Sequence, residues 1–299
     1  MRLSRLSTSA SRLVLLLLCV CVANFAIADE QHSPHTSLWA VQGKHNTLYL
    51  LGSMHLLPAK EQLPAQIDAA YRDSKTLVME IDLSNVDPVQ AQQLTMQLGL
   101  LPAGETLANQ LGPEAAEKLE THTKQLGIPA AMLSQFKPWF AAITITQLQL
   151  FKMGLDPQSG VEQRFVAKAA ADKKQIIGLE TLEDQLGLLA NLSPKLQKDF
   201  LLQTLEEADQ VDQEINDMMA AWRSGDVAAL EKYVARGMQE FPELYRPLTV
   251  DRNRRWLSRL EEMLGAEENY LVIVGALHLV GKDGVLDLLE KKGYKFTQE

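Results

Sequence analysis

The sequence predicts an α/β protein: a central mixed, largely parallel sheet built from two related strand, Gly-x-x-His, helix, strand half-units, with a large helical insertion between them. Three observations lead there. Apolar runs without alternating polar positions, at Tyr49–Leu51, Leu77–Met79 and Leu271–Val274, suit strands covered on both faces. Two of these runs close in the same way, as Gly52-Ser53-Met54-His55 and Gly275-Ala276-Leu277-His278. Residues 84 to about 250 read mostly as amphipathic helix with Gly and Pro punctuation.

Taken in order, residues 1–28 carry Arg2, Arg5 and Arg12, an apolar stretch from Leu13 to Val22, and Ala26-Ile27-Ala28 before Asp29. A basic start, a short apolar core and an Ala-x-Ala box form a secretory signal peptide. The stretch is short for a bilayer span of about 20 residues, and Asn24 interrupts it. Cleavage near Ala28 leaves residues 29–299 as a single α/β domain and predicts an exported protein, periplasmic or secreted. Both cysteines, Cys19 and Cys21, leave with the signal, so neither a disulfide nor a thiolate site is expected. The same cut removes three arginines and no acidic residue, taking the net charge from −9 to −12. That balance argues against nucleic acid or an anionic membrane surface as partner.

His32, His35 and His45 lie in polar surroundings and read as solvated. Ser37–Val41 and Thr47–Leu51 form a hairpin around Gln42–Asn46. Glu61–Ser74 has helical spacing, with Leu63, Ile67, Ala70 and Tyr71 on one face. The strand Thr76–Asp82 follows and should lie parallel and close to the first Gly-x-x-His strand. Glu80 sits near its end, where a carboxylate must be solvated, paired or bound to a cation; Asp82, two residues on, shares its side. His122 falls on a polar helix and reads as a surface residue. Gln158–Glu162 breaks and restarts a helix. Gln175–Leu179 is a further strand, ending at Glu180-Thr181, with Gln185 one turn later. The segment Leu248–Leu264 carries Arg252-Asn253-Arg254-Arg255, whose three arginines cannot share one helix face. The strand Tyr270–Val274, a helix Gly284–Lys292 and a strand Tyr294–Thr297 close the chain.

In open α/β sheets ligands gather outside the carboxyl ends of the strands, which is where His55 and His278 fall. A single such histidine is commonly a hydrogen-bonded core residue; the pair, with Gly52 and Gly275 allowing close approach, points to one shared site. Together these motifs, with Glu80, Gly178-Leu179-Glu180-Thr181, Gln185, Arg252 and Asn253, resemble the TraB/GumN family, within a wider group that includes the Tiki metalloproteases. The resemblance spans nearly all of residues 29–299, in the family's order. It implies a metal-dependent active site held by His55, His278 and Glu80. Two imidazoles and a carboxylate suit Zn²⁺, Mn²⁺ or Co²⁺ and leave positions where water becomes a nucleophile. A second carboxylate, Glu180 or Asp82, could take the proton, and Arg252 could steady an oxyanion or a substrate carboxylate, unless it is an ordinary surface ion-pair group. Neither His-Glu-x-x-His nor Gly-x-Ser-x-Gly occurs, which excludes an ordinary zincin and a serine nucleophile elbow. The expected function is a metal-dependent, peptidase-like hydrolase acting on a peptide or small-molecule substrate. The alternative is a non-catalytic binding protein for haem, a metal or a small ligand.

Overall fold

A computed structural model describes residues 35–299; the signal-peptide segment and His32 lie outside the described residues. In chain order the elements are β1 (Leu38–Gln42), β2 (Thr47–Ser53), β3 (Leu57–Pro58), α1 (Ala65–Asp73), β4 (Thr76–Ile81), α2 (Pro88–Gly99), α3 (Leu107–Leu111), α4 (Pro113–Leu126), α5 (Pro138–Lys152), β5 (Leu155–Asp156), α6 (Val161–Asp172) and β6 (Gln175–Glu180). Then come α7 (Leu182–Ala190), α8 (Pro194–Glu207), α9 (Val211–Ser224), α10 (Val227–Glu240), α11 (Pro242–Tyr245), a π-helical turn Arg246–Val250, α12 (Asp251–Leu264), β7 (Tyr270–Gly275), α13 (Ala276–Leu279), α14 (Val285–Lys291) and β8 (Phe296–Gln298).

The main sheet has six strands in the order β6-β4-β7-β2-β1-β8. Its four neighbouring strands β6, β4, β7 and β2 are parallel; β1 runs antiparallel to both β2 and β8. The mixed, largely parallel sheet expected from the apolar runs is therefore present. Leu48, Leu50, Leu51, Leu77, Val78, Leu271 and Ile273 have essentially no exposure, because helices cover both faces.

The half-units connect differently from the expectation. β2 and β4 are parallel but not neighbours, because β7 lies between them. The closing strand of the second half-unit, β8, pairs with β1 at the far edge instead of beside β7. Inserting β7 puts the two Gly-x-x-His strands side by side, with Ser53 opposite Gly275. The two glycine motifs are also locally unlike. After Gly52 the strand continues through Ser53, whereas Gly275 caps the short helical turn α13.

Smaller departures have local causes. The helix expected from Glu61 begins at Ala65, because Arg164 takes the Glu61 carbonyl (2.6 Å) and Arg223 grips its carboxylate (2.7 and 2.6 Å). The 84–250 region is not all helix. β6 extends the main sheet from within it, as the strand expected at Gln175–Leu179, and β5, which was not expected, pairs with β3 as a two-stranded ribbon. The helical part has a core of its own, centred on Trp139, Ile145, Phe200 and Leu201, distinct from the core around the sheet. His122 is 7% exposed rather than a surface residue. It belongs to the buried stripe Ala115, Leu119, His122 and Thr123 of α4, and burial lowers its pKa. His35 and His45 are exposed, as expected.

Gly52 is where the two Gly-x-x-His motifs meet. A methyl group there would come within 3.0 Å of the Ala276 Cα, so the two motifs are in backbone contact. Gly52→Ala should destabilise the protein by about 1–3 kcal/mol through overpacking. Chemical denaturation checks this, and an unchanged midpoint would mean that the motifs are not packed so closely.

Candidate functional site

Four parallel strands end on one edge of the sheet, and each delivers a polar group there. β2 leads to His55, β7 to His278, β4 carries Glu80 as its penultimate residue, and β6 ends in Glu180. From the opposite side α12 supplies Arg252, Asn253 and Trp256, which are 6%, 1% and 1% exposed. The three clustered arginines divide as helical geometry requires. Arg252 points in; Arg254 and Arg255 are about half exposed and reach Asp283 (3.2 Å) and Glu180 (3.4 Å).

Arg252 is the hub. Its Nη2 donates to Glu80 Oε2 (2.5 Å), its Nε to Glu180 Oε2 (2.9 Å), and its Nη1 to His278 Nε2 (3.0 Å) and the Leu248 carbonyl (3.2 Å). Its guanidinium carbon lies 4.9 Å from the centre of the Trp256 ring, which itself packs 4.7 Å from the His278 ring. Glu80 is otherwise held by Gln185 Nε2 (2.9 Å) and by the backbone N–H of Gly275 (2.8 Å). Burial alone would push the Glu80 pKa up. The guanidinium of Arg252, helped by the nearby histidines, outweighs it and holds the carboxyl well below the usual carboxylate range.

The two histidines are presented alike and charged differently. Asn253 donates its Nδ2 to the Asp283 carbonyl (2.9 Å), so its Oδ1 must face His278 Nδ1, 2.7 Å away. The proton of His278 is thereby placed on Nδ1, leaving Nε2 as acceptor. Burial, reinforced by Arg252, lowers its pKa to about 3, so the ring is neutral. His55 instead sets its Nδ1 2.8 Å from Oε1 of Glu162, a buried carboxylate that also accepts from Ser53 Oγ. The Glu162 charge outweighs the effect of burial and raises the His55 pKa to about 9. Both rings border the gap beside Gly275, His55 with its Nε2 and His278 with its Cδ2 edge, while His278 Nε2 meets Arg252. A methyl group added to that glycine would lie 3.4 Å from Glu80 Oε1, 3.5 Å from His278 Cδ2 and 3.7 Å from His55 Nε2.

The structure thus brings together His55, Glu80, His278, Glu180, Arg252, Asn253, Gln185, Gly52 and Gly275. Asp82 is not among them. β4 stops at Ile81, ending the alternation that would align Asp82 with Glu80, and the Asp82 carboxylate accepts from Ser84 and Asn85 (2.5 Å) in the following turn. Both Glu180 oxygens are engaged: Oε1 accepts from Trp256 Nε1 (2.9 Å), Arg255 and Arg252 Nε, and Oε2 from the same Arg252 Nε. Glu162 is the residue that sequence reasoning passed over. Its signal was faint, a glycine and a carboxylate two apart where a helix restarts.

Donor chemistry in this cluster suits a divalent transition ion. Two imidazoles have their Nδ1 atoms tied back, to Glu162 and to Asn253, and an ionised carboxylate lies with them at Gly275. Among the described residues no three His, Cys, Asp or Glu side chains are already gathered as a ligand group. In this arrangement Arg252 takes the Nε2 lone pair of His278 and one oxygen of Glu80. No helix of the described residues is long and apolar enough to cross a membrane.

Fold and site together define a class: an α/β protein with a largely buried histidine–carboxylate–arginine cluster on the carboxyl edge of a parallel sheet. More particularly, the chain belongs to the TraB/PrgY/gumN family, whose model matches residues 37–298. It is 26% identical over 268 residues to a protein named YbaP, uncharacterized, from Escherichia coli (strain K12), covering 85% of this chain and 97% of that one. The YbaP of Shigella flexneri matches equally. The metalloprotease TIKI1 of Danio rerio is 20% identical over 316 residues, covering 89% of this chain and 63% of its own length. No solved structure gives a significant match.

The charge states can be read directly. In chelator-treated protein His55 should titrate near pH 9 and His278 should stay neutral down to about pH 3. The raised His55 value means that its pairing with Glu162 stabilises the fold fully below about pH 6.5 and that this contribution is lost as the pH rises through about 9. Nitrogen NMR of the imidazoles checks both; a His55 midpoint at or below 6.5 would show that Glu162 does not act on it as a charged partner.

Proposed function

We propose that the protein is an exported metal-dependent hydrolase, peptidase-like in its chemistry, in which His55, His278 and Glu80 hold one divalent transition ion, Mn²⁺, Co²⁺ or Zn²⁺. The observation that carries this reading is the convergence of two tied-back imidazoles and an ionised carboxylate on the gap beside Gly275. Likeness to a relative named as a metalloprotease supports it. The basic, apolar, Ala-x-Ala start of the chain supports export, and the acidic balance supports a soluble partner rather than nucleic acid.

Bound there, such an ion acts as a Lewis acid toward a carbonyl and makes water acidic near neutral pH. The chain's own groups supply the rest. Arg252 is a buried donor fork beside the ligand set, suited to the oxyanion that forms from an amide or ester carbonyl, or to a substrate carboxylate. Glu180 was the carboxylate expected to accept a proton. With its oxygens engaged by Arg252, Trp256 and Arg255, we assign it instead to holding the guanidinium in place. Gln185 and the Gly275 N–H fix Glu80, and Asn253 fixes the tautomer of His278.

The test begins with elemental analysis of the purified protein and of His55→Ala and His278→Ala. About one equivalent of a first-row ion in the wild type, lost in both variants, is the expected result. Full metal content in His278→Ala would overturn the ligand assignment. Loaded protein is then screened against peptides and esters, where Arg252→Lys should lower kcat by about 10²–10³-fold, the usual effect of removing an oxyanion donor. Metal binding without turnover of any peptide or ester would replace the hydrolase with a periplasmic binding protein built on the same site.

A further inference from the structure

We infer that Glu162 is the positioning residue of His55: it sets the ring's tautomer and aims its Nε2 into the gap beside Gly275. This rests on the ligand reading of His55 given above and adds to it a residue that no motif marks.

Three contacts dock the first turn of α6 on the His55 loop. The Val161 N–H donates to the Met54 carbonyl at 3.1 Å. Gly160 lies so close to the His55 carbonyl that a methyl group there would come within 1.9 Å of its oxygen. Glu162, 8% exposed, then delivers Oε1 to His55 Nδ1 at 2.8 Å. Ser53, inside the first Gly-x-x-His motif, donates to that same oxygen, which fixes the carboxylate from the strand side. The glycine and the glutamate therefore act as one unit. Gly160 permits the approach that puts Glu162 in reach.

The other oxygen, Glu162 Oε2, is buried without a hydrogen-bond partner among the described residues. Beside a neutral His55, the form a metal ligand takes, a buried carboxylate with one unsatisfied oxygen costs the fold, so a structural role in that state would be better served by a neutral side chain. What the charge does provide is a stronger acceptor for the Nδ1 proton, and hence a more electron-rich Nε2. His278 receives only the neutral oxygen of Asn253 at the corresponding place. The two ligand histidines are thus unequal, with His55 the stronger donor.

The experiment uses chelator-treated full-length mature protein titrated calorimetrically with Mn²⁺ alone, for the wild type, Glu162→Gln, Glu162→Ala and His55→Ala. Glu162→Ala should bind about 10–100-fold more weakly, the usual effect of losing an outer partner of a ligand histidine. Glu162→Gln, whose amide oxygen still accepts from Nδ1, should recover part of that loss. Above about pH 9, where the His55–Glu162 ion pair no longer contributes, it should also melt no lower than the wild type in the absence of metal. Nitrogen NMR should show the proton of neutral His55 on Nδ1 in the wild type and in Glu162→Gln, and mixed tautomers in Glu162→Ala. Wild-type affinity in Glu162→Ala, with binding lost in His55→Ala, would overturn the role of Glu162 and leave the ligand reading standing. Equal loss of affinity and melting temperature in both Glu162 variants would overturn it in favour of a structural role. Wild-type affinity in His55→Ala would overturn the ligand reading itself, and this inference with it.

Discussion

A guanidinium buried to 6% exposure cannot exist without compensation, and the architecture of the site follows from how Arg252 obtains it. Glu80 comes from β4, Glu180 from β6 and His278 from the turn after β7, so a single side chain on α12 ties together three strand ends. Each partner is then fixed by a further donor or acceptor: Gln185 and the Gly275 N–H for Glu80, Trp256 for Glu180, Asn253 for His278. Removing either carboxylate would strand part of a buried cation, at a cost of about 3–5 kcal/mol.

Much of this was legible in the chain. Apolar runs such as Leu77-Val78-Met79 announce strands covered on both faces, and the repeated Gly-x-x-His announces two strand ends with a common purpose. The order of strands was not legible, because β7 reaches its place between β2 and β4 only after nearly two hundred residues of intervening chain. Local pattern carries no record of a pairing at that distance. His122 illustrates a second blind spot. A helix with acidic and basic residues all around reads as solvated, yet packing against α5 and α8 buries the stripe on which this imidazole lies.

Glu162 shows a third. Its three-dimensional partner, His55, lies 107 positions away, and its local setting, the opening turn of a helix, is one where acidic residues are common for reasons of helix polarity. Glu180 shows the converse. Its position at a strand end was plain, but its partners on α12, Arg252, Arg255 and Trp256, were not. Likeness in sequence also hides unlikeness in structure. The two Gly-x-x-His motifs differ in backbone path, in the group behind the imidazole and in its charge.

Trp256 sits where these charges meet, its ring over the Arg252 guanidinium, against the His278 imidazole, with its N–H on Glu180. Indole emission responds to nearby charge and to its hydrogen-bonded partner. The chain therefore carries its own optical probe of the cluster, built from a residue already present and requiring no label. An event that moves the guanidinium or changes the electrostatics of His278 acts directly on this indole, one of four in the chain.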